Sequence, residues 1–304
     1  MKKHIGVVSA RLLWFLAAFC AGCGSGSSKA PETARKPVVA LSIPPQNYFV
    51  SRIAGDLVEI LVLAGQGQNP HSYEPSPKQM TELAGARFWV LSGTEFELSL
   101  RPKIEALFPG LVIVDGTEGV RFRNLEDHED DGDDNEEHGG IDRHTWLGRE
   151  PAKIMARHIR DALCAADEGN AVLYRENCET LITDIDSEFE NLRAALEPLR
   201  GKRIFVYHPA FGYFLDEFGI IQEAVETGGK EPAPRKLGEL IEKARKEKVR
   251  VIFVQAQFPA ESARTAAAAA GAELVSLDPL APDWLANIRI IGAALKAAAP
   301  GGRE

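Results

Sequence analysis

Short apolar runs rich in β-branched residues recur along the chain and alternate with stretches of helical period. Such runs are typical of strands that are buried on both faces of a parallel sheet. The predicted strands are 37–43, 57–64, 87–93, 111–116, 203–208, 220–226, 249–256 and 272–278. Because predicted helices separate them, the pattern indicates an α/β fold of two lobes, each a mainly parallel sheet flanked by helices.

The clearest helical signal lies between the two halves of the chain. Its apolar residues, at successive spacings of 3, 1, 3, 4, 3 and 4, are Cys178, Leu181, Ile182, Ile185, Phe189, Leu192 and Leu196. This spacing predicts one buried stripe on a helix of at least about five turns. We therefore expect an N-terminal lobe over residues 37–167, one long rigid linking helix over 168–200 and a C-terminal lobe over 201–300. A ligand cleft is expected between the lobes.

The first 36 residues have a different pattern. Basic residues precede the short apolar run LLWFLAAFCAG, which is followed by Cys23. A charged start, a short apolar core and small residues before the cut are typical of a secretory signal, here residues 1–22. A cysteine after the cut resembles a bacterial lipoprotein signal, although Cys20 takes the place of the usual leucine. We expect Cys23 to carry a lipid, residues 23–36 to form a flexible tether, and the protein to be a periplasmic or extracytoplasmic lipoprotein.

Two further cysteines, Cys164 and Cys178, fall in the body of the chain. In an oxidising compartment this pair could form a disulfide. Two buried thiols are the alternative, and the sequence leaves both open because it gives no distance between the residues.

The net charge of −9 comes from a single segment. Residues 126–137 contain nine acidic residues and no Lys or Arg, and the rest of the chain has 35 acidic and 35 basic residues. The sequence therefore shows no basic patch for nucleic acid. The acidic loop, taken as residues 125–141, also contains His128 and His138. It is predicted to be either a solvated loop or a weak auxiliary collector of cations.

Four potential metal ligands follow predicted strands from both lobes: His71, His144, His208 and Asp278. In open α/β sheets, ligands bind beyond the carboxyl ends of the strands, so these side chains are expected to meet in the cleft. Imidazole nitrogen and carboxylate oxygen suit a borderline divalent ion, and four ligands complete a tetrahedral site. The prolines beside three of these ligands are expected to stiffen the loops that carry them.

The stretches around these residues resemble a known family. They read NPHSYEPSP (69–77), DRHTWL (142–147), YHPAFGYFLDEFGI (207–220) and VSLDPL (275–280). They are similar to the periplasmic zinc/manganese-binding proteins of ABC transporters, the ZnuA-like cluster A-I substrate-binding proteins. The resemblance implies two α/β lobes joined by one long helix, the same four ligands, and a metal-gathering loop at 125–141. In the second stretch Arg143 replaces the usual proline.

The expected function is therefore a non-enzymatic, lipid-anchored, monomeric receptor that binds Zn²⁺ and hands it to the membrane permease of a metal ABC transporter. Mn²⁺ is the alternative ion. A secreted zinc-dependent hydrolase or a surface adhesin would be a function of a different class. The sequence has no G-x-S-x-G elbow, no H-E-x-x-H helix and no phosphate-binding glycine-rich loop to support an enzyme.

Overall fold

The structure, a computed structural model, describes residues 36–125, 140–226, 234–257 and 260–299. The predicted signal, the lipidation site Cys23, the tether up to residue 35, and the loop histidines His128 and His138 lie outside the described residues.

Two parallel four-stranded sheets confirm the predicted α/β fold. Their strands are β1 Val38–Leu41, β2 Glu59–Val62, β3 Phe88–Leu91, β4 Val112–Asp115, β5 Arg203–Val206, β6 Ile221–Ala224, β7 Val251–Gln255 and β8 Glu273–Leu277. The strand orders are β2-β1-β3-β4 and β6-β5-β7-β8. In each sheet the first strand lies between the second and the third, so both sheets have a switch point at which ligand sites form.

Helices connect the strands and cover the sheets. They are α1 Pro45–Ala54, α2 Pro77–Ala84, α3 Glu95–Leu107, α4 Arg149–Ala166, α5 Ala171–Leu196, α6 Gly212–Glu217, α7 Pro234–Lys246, α8 Ala260–Ala270 and α9 Trp284–Ala298. No helix within these described ranges is both long enough and apolar enough to cross a membrane.

The predicted linking helix is α5, which has 26 residues and is extended by a short 3-10 turn at each end. All seven residues of its predicted apolar stripe are buried. They belong to a core that also contains Leu41 and Phe253 from the two sheets and Trp284 from α9. Because both sheets pack on this one core, the linking helix is the rigid element that the sequence predicts.

The two cysteines of the body are free thiols in the structure. The thiol of Cys164 donates to the carbonyl of Ala171, whereas the thiol of Cys178 donates to the carbonyl of Ala156. The two contacts lie about 11 Å apart along the axes of α4 and α5, because Ala156 is eight residues from Cys164 and Ala171 is seven residues from Cys178. A disulfide needs Cα atoms within about 7 Å, so this geometry favours the two-thiol alternative. Burial raises the pKa of Cys178 to about 11, which keeps the thiol protonated.

Candidate metal centre

Three imidazole rings from both lobes meet at the strand ends. His71 lies between β2 and α2, His144 precedes the 3-10 turn Thr145–Leu147, and His208 follows β5. The Nε2 atom of His208 lies 3.0 Å from that of His71 and 3.1 Å from that of His144. Tetrahedral zinc with bonds of about 2.0–2.1 Å needs ligand nitrogens about 3.3 Å apart. The Nε2 atoms would therefore have to move apart by only a few tenths of an ångström to hold the ion.

A carboxylate contacts the Nδ1 atom of each of these rings. Glu95 lies 3.0 Å from Nδ1 of His71, and Asp142 lies 2.9 Å from Nδ1 of His144. Glu226 makes a short contact with Nδ1 of His208. An ionised carboxylate only accepts hydrogen bonds, so a ring that faces one carries its proton on Nδ1 and keeps the lone pair of Nε2 for the centre. Metal-binding histidines in proteins commonly have this arrangement.

The ionisation of the site suits a cation. Burial, reinforced by the two neighbouring histidines, holds the pKa of His208 well below its usual value, so this imidazole stays neutral. Burial alone would raise the pKa of Asp142, but hydrogen bonds from His144 and Arg123 outweigh it and lower that pKa. Burial alone would also raise the pKa of Glu95. The hydrogen bond from His71 and the electrostatic interaction with that ring outweigh burial and lower the pKa of Glu95. His208 is thus neutral, while the carboxylates of Asp142 and Glu95 are held in their anionic form.

Local hydrogen bonds fix the backbone of each of the three histidines. The N–H of His71 donates to Oδ1 of Asn69, and the N–H of His144 donates to Oδ1 of Asp142. The side chain of Gln255, at the end of β7, accepts from the N–H of His208 and donates to its carbonyl. Ligands held in this way lose little conformational entropy when an ion binds, which is how a preorganised site gains affinity.

A capping box places Glu95 beside His71. Glu97, which is buried at the start of α3, accepts from the N–H groups of Ser92, Gly93 and Thr94 at 2.7–3.0 Å. These bonds fix the first turn of α3, where Glu95 is the first helical residue. Burial raises the pKa of Glu97, against the effect of its hydrogen bonds.

The structure does not bring Asp278 into the cluster formed by His71, His144 and His208. Its Oδ1 atom accepts from the side chain of Gln257 at 2.7 Å and from the N–H of Leu280 at 2.9 Å. Gln257 and Leu280 line the same cavity as the three histidines, so the carboxylate is bonded to two residues of the cavity lining. The role of Asp278 as fourth ligand stays a prediction. Arg143 also lines the cavity and donates to the carbonyl of Gly93.

Sequence reasoning missed the three supporting carboxylates, although each has a signal. Glu226 ends the predicted strand 220–226, so the strand-end argument that selected His208 applies to it too. Thr94 and Glu97 have the spacing of a capping box, which predicts a helix start at Glu95. Asp142 lies two residues before His144, within reach of the backbone N–H of that histidine.

Two parallel α/β lobes joined by a long helix, with a histidine cluster between their strand ends, define a two-lobed substrate-binding protein with a site suited to a metal cation. The family model described as "Zinc-uptake complex component A periplasmic" matches residues 39–298. The chain belongs to this family.

Relatives agree with this assignment. The chain is 26% identical over 270 residues to the high-affinity zinc uptake system protein ZnuA of Yersinia pestis, covering 82% of this chain and 85% of that protein. A crystal structure of ZnuA superposes with a TM-score of 0.80 at 30% identity, covering 87% of this chain and all of the other. FpvC from Pseudomonas aeruginosa in complex with Mn²⁺ shares the fold, with a TM-score of 0.74, 24% identity, and coverage of 87% and 99%.

Proposed function

We propose that this protein captures a divalent transition metal, Zn²⁺ in the first place, outside the cytoplasmic membrane and delivers it to the permease of an ABC transporter. The observation that carries the proposal is the convergence of three Nε2 atoms, each backed by a carboxylate at Nδ1. Family membership supports the transport role. In this role the metal is cargo, so the site must release it to the permease as well as bind it.

The ligand set favours zinc over manganese. Zinc accepts four ligands with imidazole nitrogen among them, whereas Mn²⁺ prefers carboxylate, carbonyl and water oxygens. We propose Asp278 as the fourth ligand, which requires its carboxylate to exchange the bond from Gln257 for the ion. A fourth protein ligand would fill the open position that a hydrolytic zinc site needs, and this favours a receptor over a hydrolase.

Three further features belong to the same proposal. Lipid attachment at Cys23 would hold the protein at the membrane surface near its permease. The loop at 125–141, with His128 and His138, would act as a weak auxiliary metal binder. The protein would work as a monomer, because one chain supplies all four proposed ligands.

We expect chelator-treated protein to bind one Zn²⁺ per chain in calorimetry. At a free zinc concentration of about 1,000 times the Kd, binding should stabilise the fold by about 4 kcal/mol. The midpoint of thermal unfolding should then rise by roughly 10 °C and return when a chelator is added. A parallel titration with Mn²⁺, alone and in competition with zinc, identifies the preferred ion. If Mn²⁺ bound more tightly than zinc, Mn²⁺ would be the cargo. If neither ion bound, the proposal would be refuted.

Replacing the carboxylate behind His208 should weaken binding without removing a ligand. Glu226→Gln keeps the size of the side chain but replaces the carboxylate that contacts Nδ1 of His208 with an amide, and we expect zinc affinity to fall about tenfold or more. Glu223→Gln is the matched control, because this buried carboxylate on β6 contacts Arg203 and Lys243 instead. Equal zinc affinities for the two variants in competition titrations would contradict a role for Glu226 at the site.

A further inference from the structure

A short antiparallel stem precedes His144. Asn124 and Ile141 form an antiparallel bridge, and the N–H of Asp142 donates to the carbonyl of Arg123 at 2.9 Å. Asp142 therefore belongs to this stem, and it also holds both the N–H and the Nδ1 of His144 through one oxygen. The position of His144 consequently depends on the stem.

The side chain of Arg123 connects the stem to the second lobe. Its Nη1 atom lies 2.7 Å from Oδ2 of Asp142, the carboxylate oxygen that His144 does not use. Its Nε atom lies 2.8 Å from Oδ2 of Asp216, which is part of α6. Asp142 is fully buried and the Arg123 side chain is only 15% exposed, so solvent screens this pair weakly.

Helix α6 contacts the stem through two more residues. The hydroxyl of Tyr213 accepts from the N–H of Arg123 at 3.1 Å and donates to the carbonyl of Asp142 at 3.0 Å. At Gly212, an added Cβ would collide with the guanidinium of Arg123 and lie 2.8 Å from Oδ2 of Asp142. Helix α6 begins only four residues after His208, so one stretch of chain carries that ligand and contacts the support of His144.

We propose that Arg123, Asp142, Tyr213 and Asp216 form a lock that positions His144 relative to His208 and sets the preference of the site for zinc over manganese. This inference rests on the proposed receptor function. We call the four residues the stem lock. Arg123 and Tyr213 act in it as positioning residues, since they reach the metal site through Asp142.

The link to ion preference follows from coordination geometry. Zinc in a closed site takes a tetrahedral arrangement of few ligands, so rigidly spaced imidazoles favour it. Mn²⁺ prefers more oxygen ligands, which water can supply when one imidazole moves. Loosening His144 should therefore cost zinc more affinity than manganese.

The test compares Arg123→Met with Arg149→Met. Arg149 is the matched control: its side chain is 18% exposed, and it bonds to Asp186 and Glu190 of α5 and to Glu217 of α6 rather than to the stem. We expect Arg123→Met to lower zinc affinity about 10- to 100-fold and manganese affinity less than about threefold. Arg149→Met should leave the ratio of the two affinities unchanged.

Co²⁺ gives a second readout, because tetrahedral Co²⁺ absorbs visible light much more strongly than five- or six-coordinate Co²⁺. The Co²⁺ complex of Arg123→Met should absorb more weakly than that of the wild type, and the complex of Arg149→Met should not. Tyr213→Phe removes a single hydroxyl, and it replaces Arg123→Met as the test variant if Arg123→Met does not fold. It should shift both readouts in the same direction by a smaller amount.

Three results would overturn the inference: a folded Arg123→Met that keeps the zinc-to-manganese ratio of the wild type, equal losses for both ions, or an unchanged Tyr213→Phe where Arg123→Met does not fold. In all three the wild type still binds zinc, and the receptor function stands. A wild type that binds no zinc would instead refute the receptor function itself.

Discussion

His208→Ala should lower zinc affinity by about two to three orders of magnitude. Structural zinc sites with four protein ligands bind with about 10–16 kcal/mol, so one ligand accounts for roughly 3–4 kcal/mol. His208 is central to the cluster, because its Nε2 atom lies within 3.1 Å of the Nε2 atoms of both other histidines. Burial also holds the pKa of His208 well below its usual value, so this imidazole needs no deprotonation before it binds an ion. Competition against a chelator of known affinity measures the loss.

The matched control is His158→Ala. His158 belongs to α4, outside the cluster, and its Nε2 atom contacts the carbonyl of Glu118. This variant should bind zinc as the wild type does. If His208→Ala kept the affinity of the wild type while it remained folded, the three-histidine site would be wrong.

The fold could be predicted from the sequence because its signals are local. Short apolar runs are typical of the strands of parallel sheets, and all eight predicted runs contain a strand of the structure. The stripe from Cys178 to Leu196 has the period of a helix, and the structure buries it along α5. Neither inference needs a contact between distant parts of the chain.

The proximity of the three histidines could be predicted because the ends of parallel strands converge, and that rule needs only the strand assignments. Their supporting carboxylates depend on side-chain directions across the chain. Glu95 reaches His71 from a helix start, and Glu226 reaches His208 from a neighbouring strand. The stem lock joins residues about 90 positions apart in the sequence, at Arg123 and Asp216. No spacing rule finds such a pair.

Asp278 and the cysteines likewise depend on side-chain directions that the sequence pattern does not give. Asp278 follows β8, as the strand-end rule requires, but its Oδ1 atom bonds to Gln257 and to the backbone of Leu280. The position at a strand end identifies Asp278 as a candidate ligand. The direction of its carboxylate oxygens depends instead on the side-chain rotamer and on the hydrogen-bond donors nearby. Cys164 and Cys178 lie on adjacent helices, and only the register of these helices reveals that each thiol contacts a backbone carbonyl of the neighbouring helix.

Phe189→Ala should destabilise the whole protein by about 3–5 kcal/mol, the usual cost of removing a buried aromatic ring. Phe189 lies on α5 and is fully buried. Its ring stacks on Phe218 with centroids 5.9 Å apart, and it also approaches Phe214 of α6 and Trp284 of α9. The ring therefore fills the junction between the linking helix and the second lobe, beneath the segment that carries His208.

Because both sheets pack on the core that contains Phe189, thermal unfolding of the variant should remain a single transition at a lower midpoint. Val172→Ala on the same helix is the control, since Val172 is 67% exposed, and its effect should stay within about 0.5 kcal/mol. Two separate transitions in calorimetry would show that the lobes unfold independently and that α5 does not unite them. A single transition that zinc raises by a similar amount in both variants would show that the shared core holds the lobes together while the histidines bind the ion.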